Sequence, residues 1–250
     1  MGRVESVEAI PVGYAEPNDH NAQRFLCLVR IEDSDGRVGW GESITQFEEA
    51  TFAAKAVIDG VAELVIGTDP LHKTVVWRAI KDRAWWYGYG GGIASYAVAA
   101  IDIALWDLAG KQLGKPVLDL LGGPVHERLP AIASAHAHKE SIPAMVEEAQ
   151  GWLEGGLQGM KVGFGKRGNA RLGYELDRDV EYVAAMRSGL GADAMLMVDC
   201  GIAVKWSVPD AVKRVRAFED HGLEWIEEPL GAWDPPGYRT LRQQTSTQIA

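Results

Sequence analysis

From residue 129 onward, short apolar runs alternate with helical patterns, and this alternation constrains the fold more than any other feature. The spacing predicts strands over 129–135, 159–162, 194–198 and 223–226. It predicts helices over 142–153, 174–188 and 208–220, with a further one starting near Pro236. Repeated βα units with short apolar strands form a parallel sheet, open or closed into a barrel. A complete eight-unit barrel takes about 250 residues. Residues 128–250 hold about four units, and 247–250 look like the opening of a fifth strand. The expected fold of this part is therefore α/β with about half the units of a barrel: either the sheet is open and small, or this chain lacks the rest of its fold.

Residues 1–127 have another texture. Two β-type runs, 25–31 and 38–42, flank Asp33-Ser34-Asp35-Gly36, and turn residues between such runs predict a hairpin. Helical patterns follow over 48–66 and 71–85. The strongest helix is predicted over 94–113, where Ala97, Val98, Ile101, Ala104, Leu105 and Leu108 recur at helical spacing before Gly114 and Pro116. An α+β domain at 1–127 thus precedes the α/β domain at 128–250. The glycine-rich stretch 88–92 reads as a linker, because Ile93 stands where a dinucleotide fingerprint needs its last glycine. Trp85-Trp86-Tyr87 could stack on a sugar, but packing within the first domain is the plainer expectation.

Charge and composition remove several function classes. Net charge is −10 with no basic block, so neither nucleic acid nor an anionic membrane is an expected partner. No run approaches the 18 or so apolar residues of a membrane span, and the first residues lack the pattern of a signal peptide. Cys27 and Cys200 suggest neither a disulfide framework nor a cysteine metal site. A cytoplasmic setting is expected.

Parallel α/β folds place their chemistry at the C-terminal ends of the strands. Those ends carry Lys161-Val162-Gly163, Val198-Asp199-Cys200-Gly201 and Ile226-Glu227-Glu228-Pro229. Asp199 and Glu227 lie one βα repeat apart and should be neighbours on one rim. Two converging carboxylates suit a hard divalent cation. Lys161 on the adjacent strand could then serve as a general base, its pKa lowered by the cation and by burial. The blander alternative is that strand-end charges are solvated or salt-bridged. A different enzyme class is suggested by His136-Ala137-His138, whose imidazoles could bind Zn²⁺ as in metal-dependent amidohydrolases, with Lys161 bridging.

AIDIALWDLAGK at 100–111, followed by Leu113-Gly114-Lys115-Pro116 and Leu120-Leu121-Gly122-Gly123, resembles the mandelate racemase/muconate lactonizing enzyme branch of the enolase superfamily. Asp35-Gly36-Arg37-Val38-Gly39-Trp40-Gly41-Glu42 resembles that family's N-terminal hairpin. Val198-Asp199 and Trp225-Ile226-Glu227-Glu228-Pro229 resemble its first two metal-ligand motifs. The resemblance runs along essentially the whole chain in order. It implies an N-terminal α+β capping domain on a modified TIM-type (β/α) barrel. It further implies Mg²⁺ held by three carboxylates and removal of the proton next to a substrate carboxylate through an enediolate.

Carried over by motif, Asp199 and Glu227 (rather than Glu228) match metal ligands, and Lys161 matches the first lysine of a Lys-x-Lys pair. His136 and Lys166 fall where they could contact substrate. The third carboxylate ligand and a histidine base are expected beyond Ala250. Loops near 13–24 and 43–48 would close over the substrate, a small carboxylic or sugar acid, and relatives of this kind form homo-oligomers. Gly163 stands at the second lysine position and Gly201 two residues after the first ligand. A base on only one face favours sugar-acid dehydration. Racemisation, epimerisation or cycloisomerisation are the alternatives within the family, and an inactive truncated paralogue or fragment is the alternative without chemistry.

Overall fold

The computed structural model describes residues 2–17, 21–88, 90–165, 170–201 and 204–250. The chain divides into two compact units, Met1–Glu127 and Arg128–Ala250.

The first unit contains β1 (Val4–Glu16), β2 (Ala22–Asp33) and β3 (Val38–Gln46), paired antiparallel in that order. Helices α1 (Glu48–Val61), α2 (Lys73–Arg83), α3 (Trp85–Gly88), α4 (Ile93–Leu113) and α5 (Val117–Leu120) follow. Apolar periodicity did not predict β1, because Glu5, Ser6, Glu8 and Pro11 interrupt it. As an edge strand it can carry a proline, whose missing N–H leaves no central ladder broken. The segment 13–24 also differs from the expected loop. β1 and β2 stay paired as far as Glu16 and Ala22, so most of it is hairpin.

By length and composition α4 could cross a membrane. Here it is a core helix, with Ala97, Val98, Ile101, Ala104, Leu105 and Leu108 buried. It packs against β3 closely enough that a Cβ at Gly39 would lie 2.2 Å from the Ala104 carbonyl oxygen, and one at Gly41 1.9 Å from that of Ala100. Trp85, Trp86 and Tyr87 contradict the packing expectation: they are 62%, 79% and 55% exposed, because the single turn of α3 turns them to solvent.

The β2–β3 hairpin is pinned by Asp33, which is fully buried. Its Oδ1 accepts the N–H groups of Asp35 (3.0 Å) and Arg37 (2.9 Å), and its Oδ2 accepts Gln112 Nε2 from α4 (2.7 Å). Burial opposes the charge. The hydrogen bonds from Gln112, Arg37 and Asp35, with the Arg37 charge, outweigh it and lower the carboxyl's pKa. Asp33→Ala would strand three donors and is expected to cost about 2–3 kcal/mol at pH 7. A lowered folded-state pKa stabilises above the ordinary aspartate value of about 4. Urea titrations should therefore show the wild-type advantage shrinking as pH falls below that value. An advantage that stays constant down to pH 3 would refute the role of the charge.

The second unit is a five-stranded parallel sheet in sequential order: β4 (Ala133–His136), β5 (Gly159–Gly163), β6 (Met195–Asp199), β7 (Trp225–Glu227) and β8 (Gln248–Ile249). Between successive strands run α6 (Ile142–Glu154), α7 (Leu176–Leu190), α8 (Val208–Phe218) and α9 (Pro235–Gln244). Ser141, Ser207 and Asp234 cap α6, α8 and α9, each accepting a first-turn N–H just ahead of a proline that presets the helical φ. Val162, Val198 and Ile226 bury into the core shared with Phe164, Tyr182, Met186, Val215 and Phe218. That burial fixes the register, since a slip of one residue would turn each strand inside out.

Candidate metal and proton-transfer site

Parallel pairing brings the strand ends into one row. His136 pairs with Gly163, Gly163 with Asp199, and Asp199 with Glu227. Lys161 lies two residues before Gly163 and so on the same face of β5. Its Nζ donates to Glu227 Oε2 at 2.8 Å and stands 3.0 Å from Asp199 Oδ2. All three side chains are sheltered but reachable, 17%, 23% and 31% exposed for Lys161, Asp199 and Glu227. Burial disfavours the Lys161 ammonium, but its hydrogen bonds to Glu227 and Asp199 and their charges outweigh that and raise its pKa. The lowering expected from the sequence belongs to a site that holds a cation, whereas here both carboxylates turn on the ammonium itself. In the arrangement described here Lys161 is a proton holder.

The carboxylates are also held from behind. The Gly201 N–H donates to Asp199 Oδ1 at 2.9 Å. Trp225 Nε1 donates to Glu227 Oε2 at 3.3 Å, and the Cys200 N–H to the Glu227 carbonyl at 2.9 Å. Trp225 was legible in principle, since it stands two residues before Glu227 on a strand and shares its face. The Gly201 contact was not. It depends on Gly201 taking a left-handed backbone (φ +52°) that only a glycine adopts freely. Glu228 is likewise left-handed (φ +50°), uncommon for a side chain with a Cβ, and it is Glu227 that reaches Lys161.

His136 ends β4 in the same row, with its ring edge-on to that of His138 at 5.7 Å between centroids. Lys166 lies outside the described residues. Among the described residues no group of three or more histidine, cysteine or acidic side chains clusters as a metal site. Burial pushes the Cys200 thiol far above its ordinary range, which leaves it a packing group.

Two family models match the chain. Residues 4–122 fit the mandelate racemase/muconate lactonizing enzyme N-terminal domain, and 144–250 fit the enolase C-terminal domain-like family. The chain belongs to the mandelate racemase/muconate lactonizing enzyme family of the enolase superfamily. Its architecture is accordingly that superfamily's capping domain followed by a barrel-type domain, and the zinc-hydrolase reading of His136 and His138 loses its basis.

Among family members, the 3,6-anhydro-alpha-L-galactonate cycloisomerase of Streptomyces coelicolor is 33% identical, over 90% of this chain and 59% of its own length. The D-gluconate dehydratase of Thermoproteus tenax is 29% identical, over 100% of this chain and 50% of its own. A mandelate racemase/muconate lactonizing protein from Paracoccus denitrificans, solved in complex with magnesium, superposes with a TM-score of 0.82 at 30% identity, over 100% of this chain and 64% of that one. The chain thus spans half to two-thirds of the length of these family members.

Proposed function

We propose that this chain carries the first part of the active site of a sugar-acid dehydratase, in which Asp199 and Glu227 hold a divalent cation and Lys161 manages a proton beside it. The observation that carries the reading is the convergence of both carboxylates on the single Lys161 ammonium. Oxygen donors that already share one positive group suit a hard cation such as Mg²⁺. When bound, that ion would supply positive charge for the substrate carboxylate as negative charge builds on it.

The chain's own residues do the rest. Gly201 and Trp225 fix the directions of Asp199 and Glu227. Lys161 keeps its proton while both carboxylates contact it, and so presents an ammonium to an anionic substrate. It becomes a base only by giving up those contacts. His136 and Lys166 are proposed as substrate contacts, and the position of His136 in the same row supports the first of them. Dehydration removes the proton next to the carboxylate and expels the neighbouring hydroxyl as water, and the enol then becomes a 2-keto acid.

Gly163 supports dehydration over racemisation, because it leaves β5 with one base position filled by glycine. Similarity to the Streptomyces cycloisomerase supports a second reading, an isomerisation without loss of water. Mass spectrometry of a panel of aldonic acids, aldaric acids and their anhydro or lactone forms separates the two. A product lighter by one water supports dehydration, and an isomer of unchanged mass supports cycloisomerisation. Turnover should require Mg²⁺ and fall at least 100-fold in Asp199→Asn and Glu227→Gln, since each removes a charged ligand (about 3 kcal/mol or more). Turnover unaffected by either substitution would overturn the assignment. A homo-oligomer is also proposed, and light scattering tests it.

A further inference from the structure

We propose that Lys205 is a positioning residue that braces the two carboxylate-bearing strand ends against each other. The proposal rests on the reading of Asp199 and Glu227 as a cation site. Lys205 lies on the segment between β6 and α8, and its ammonium donates to the Gly201 carbonyl and, at 3.3 Å, to the Glu228 carbonyl. One of those carbonyls belongs to the residue whose N–H orients Asp199 Oδ1. The other belongs to the residue immediately after Glu227.

Both residues have left-handed backbones (φ +52° and +50°), and both present their carbonyl to the same ammonium. Left-handed backbone at a residue with a Cβ costs roughly 1–3 kcal/mol and persists only where surrounding contacts hold it. At Glu228 the Lys205 bond is one such contact. The Glu228 N–H, which donates to the Ala250 carbonyl at 2.9 Å, is another.

Two backbone bonds run between the same segments, from Cys200 N–H to the Glu227 carbonyl and from Trp206 N–H to the Pro229 carbonyl at 3.2 Å. Lys205 joins the same two segments through a charge-assisted bond on each side, stronger than a neutral one. With it in place, the backbone segments that carry Asp199 and Glu227 cannot separate without breaking a bond to the ammonium. The surface position of Lys205 alone would suggest an ordinary solvated lysine. Its two-sided contact, one carbonyl from each ligand-bearing segment, points to the bracing role.

The test uses the whole chain with Lys205→Met and Lys205→Arg. Hydrogen exchange reads the brace without any metal. In Lys205→Met the amides of Cys200, Gly201 and Glu228 should exchange roughly tenfold faster, as expected for loss of a hydrogen bond to a charged group. Those of Val162 and Leu196 should stay unchanged, and Lys205→Arg should restore protection. Mn²⁺ titration reads the consequence: affinity should fall about tenfold or more in Lys205→Met, as for other groups that orient ligands, and recover in Lys205→Arg. Uniform acceleration of all five amides, or none, would overturn the proposal. Unchanged Mn²⁺ affinity in Lys205→Met, with wild-type binding abolished by Asp199→Asn, would overturn it while leaving the cation site standing. Wild-type Mn²⁺ binding insensitive to Asp199→Asn would instead remove the cation site, and the positioning role with it.

Discussion

Asp179→Ala is expected to lower the unfolding free energy by about 3–5 kcal/mol, the usual cost of removing one partner of a buried ion pair. Asp179 is fully buried on α7, and Arg214 of α8 is nearly so. The two are in direct contact, and Arg214 also stacks over the Trp206 ring at 4.9 Å. Further bonds from Asp179, Arg214 and Trp206 hold the loop that follows β5. The Gly173 N–H donates to Asp179 Oδ1 at 2.7 Å, Trp206 Nε1 donates to the Gly173 carbonyl at 2.9 Å, and Arg214 Nη2 donates to the Tyr174 carbonyl at 3.2 Å. Removing the carboxylate leaves a guanidinium charged and buried with one acceptor fewer. Urea unfolding of Asp179→Ala, Arg214→Met and the double variant measures this, and the double variant should be less damaged than the sum of the singles.

Asp179 also gives a pH dependence of defined sign. Burial pushes its carboxyl up to about 6, against the lowering effects of the Gly173 N–H and of Arg214. A group whose folded-state pKa is raised stabilises most below its unfolded value, and that contribution is lost as pH rises through the folded value. Relative to Asp179→Asn, the wild type should therefore gain stability as pH falls from about 6 towards 4. A flat difference across that interval would show that the ion pair stays fully ionised.

Gly41→Val is expected to cost about 3 kcal/mol or more, the upper end for overpacking a filled core. A Cβ there would meet the Ala100 carbonyl at 1.9 Å and the Ala104 nitrogen at 2.9 Å. Both are backbone atoms of α4, so no rotamer change can relieve the contact and the helix must move off β3. Gly60, near the end of α1, is the control. A Cβ there meets nothing within 4 Å, and Gly60→Ala should be neutral or stabilising by up to about 1 kcal/mol. Thermal unfolding of both variants checks the pair, and equal stabilities would refute the close packing of α4 on β3.

Much of the architecture was written locally. Apolar runs of strand length, proline-led helix starts after Ser141, Ser207 and Asp234, and the periodic face of α4 each depend on residues a few positions apart. Their pattern reads out directly because propensity and burial agree there. The helix boundaries expected for 142–153 and 208–220 fall close to α6 and α8 for this reason. β1 and the exposed aromatic turn at 85–87 escaped, because an edge strand need not alternate and a one-turn helix has no period to detect. The order of chemistry-bearing residues along the rim was also legible, since in a parallel sheet each strand end lands beside the next.

What sequence could not supply is everything set by contacts between distant segments. That Lys161 sits between Asp199 and Glu227 depends on 2.8 and 3.0 Å distances across three strands. The burial of Asp33 and Asp179, the glycine approach to α4 and the two-sided grip of Lys205 are likewise pairings across the fold. Family, element order and candidate residues were readable along the chain, because they follow from local pattern and motif. The pairing of Lys161 with Asp199 and Glu227 is a tertiary matter, because electrostatic energy depends on separation in space and on exclusion of water, neither of which is recorded along the chain.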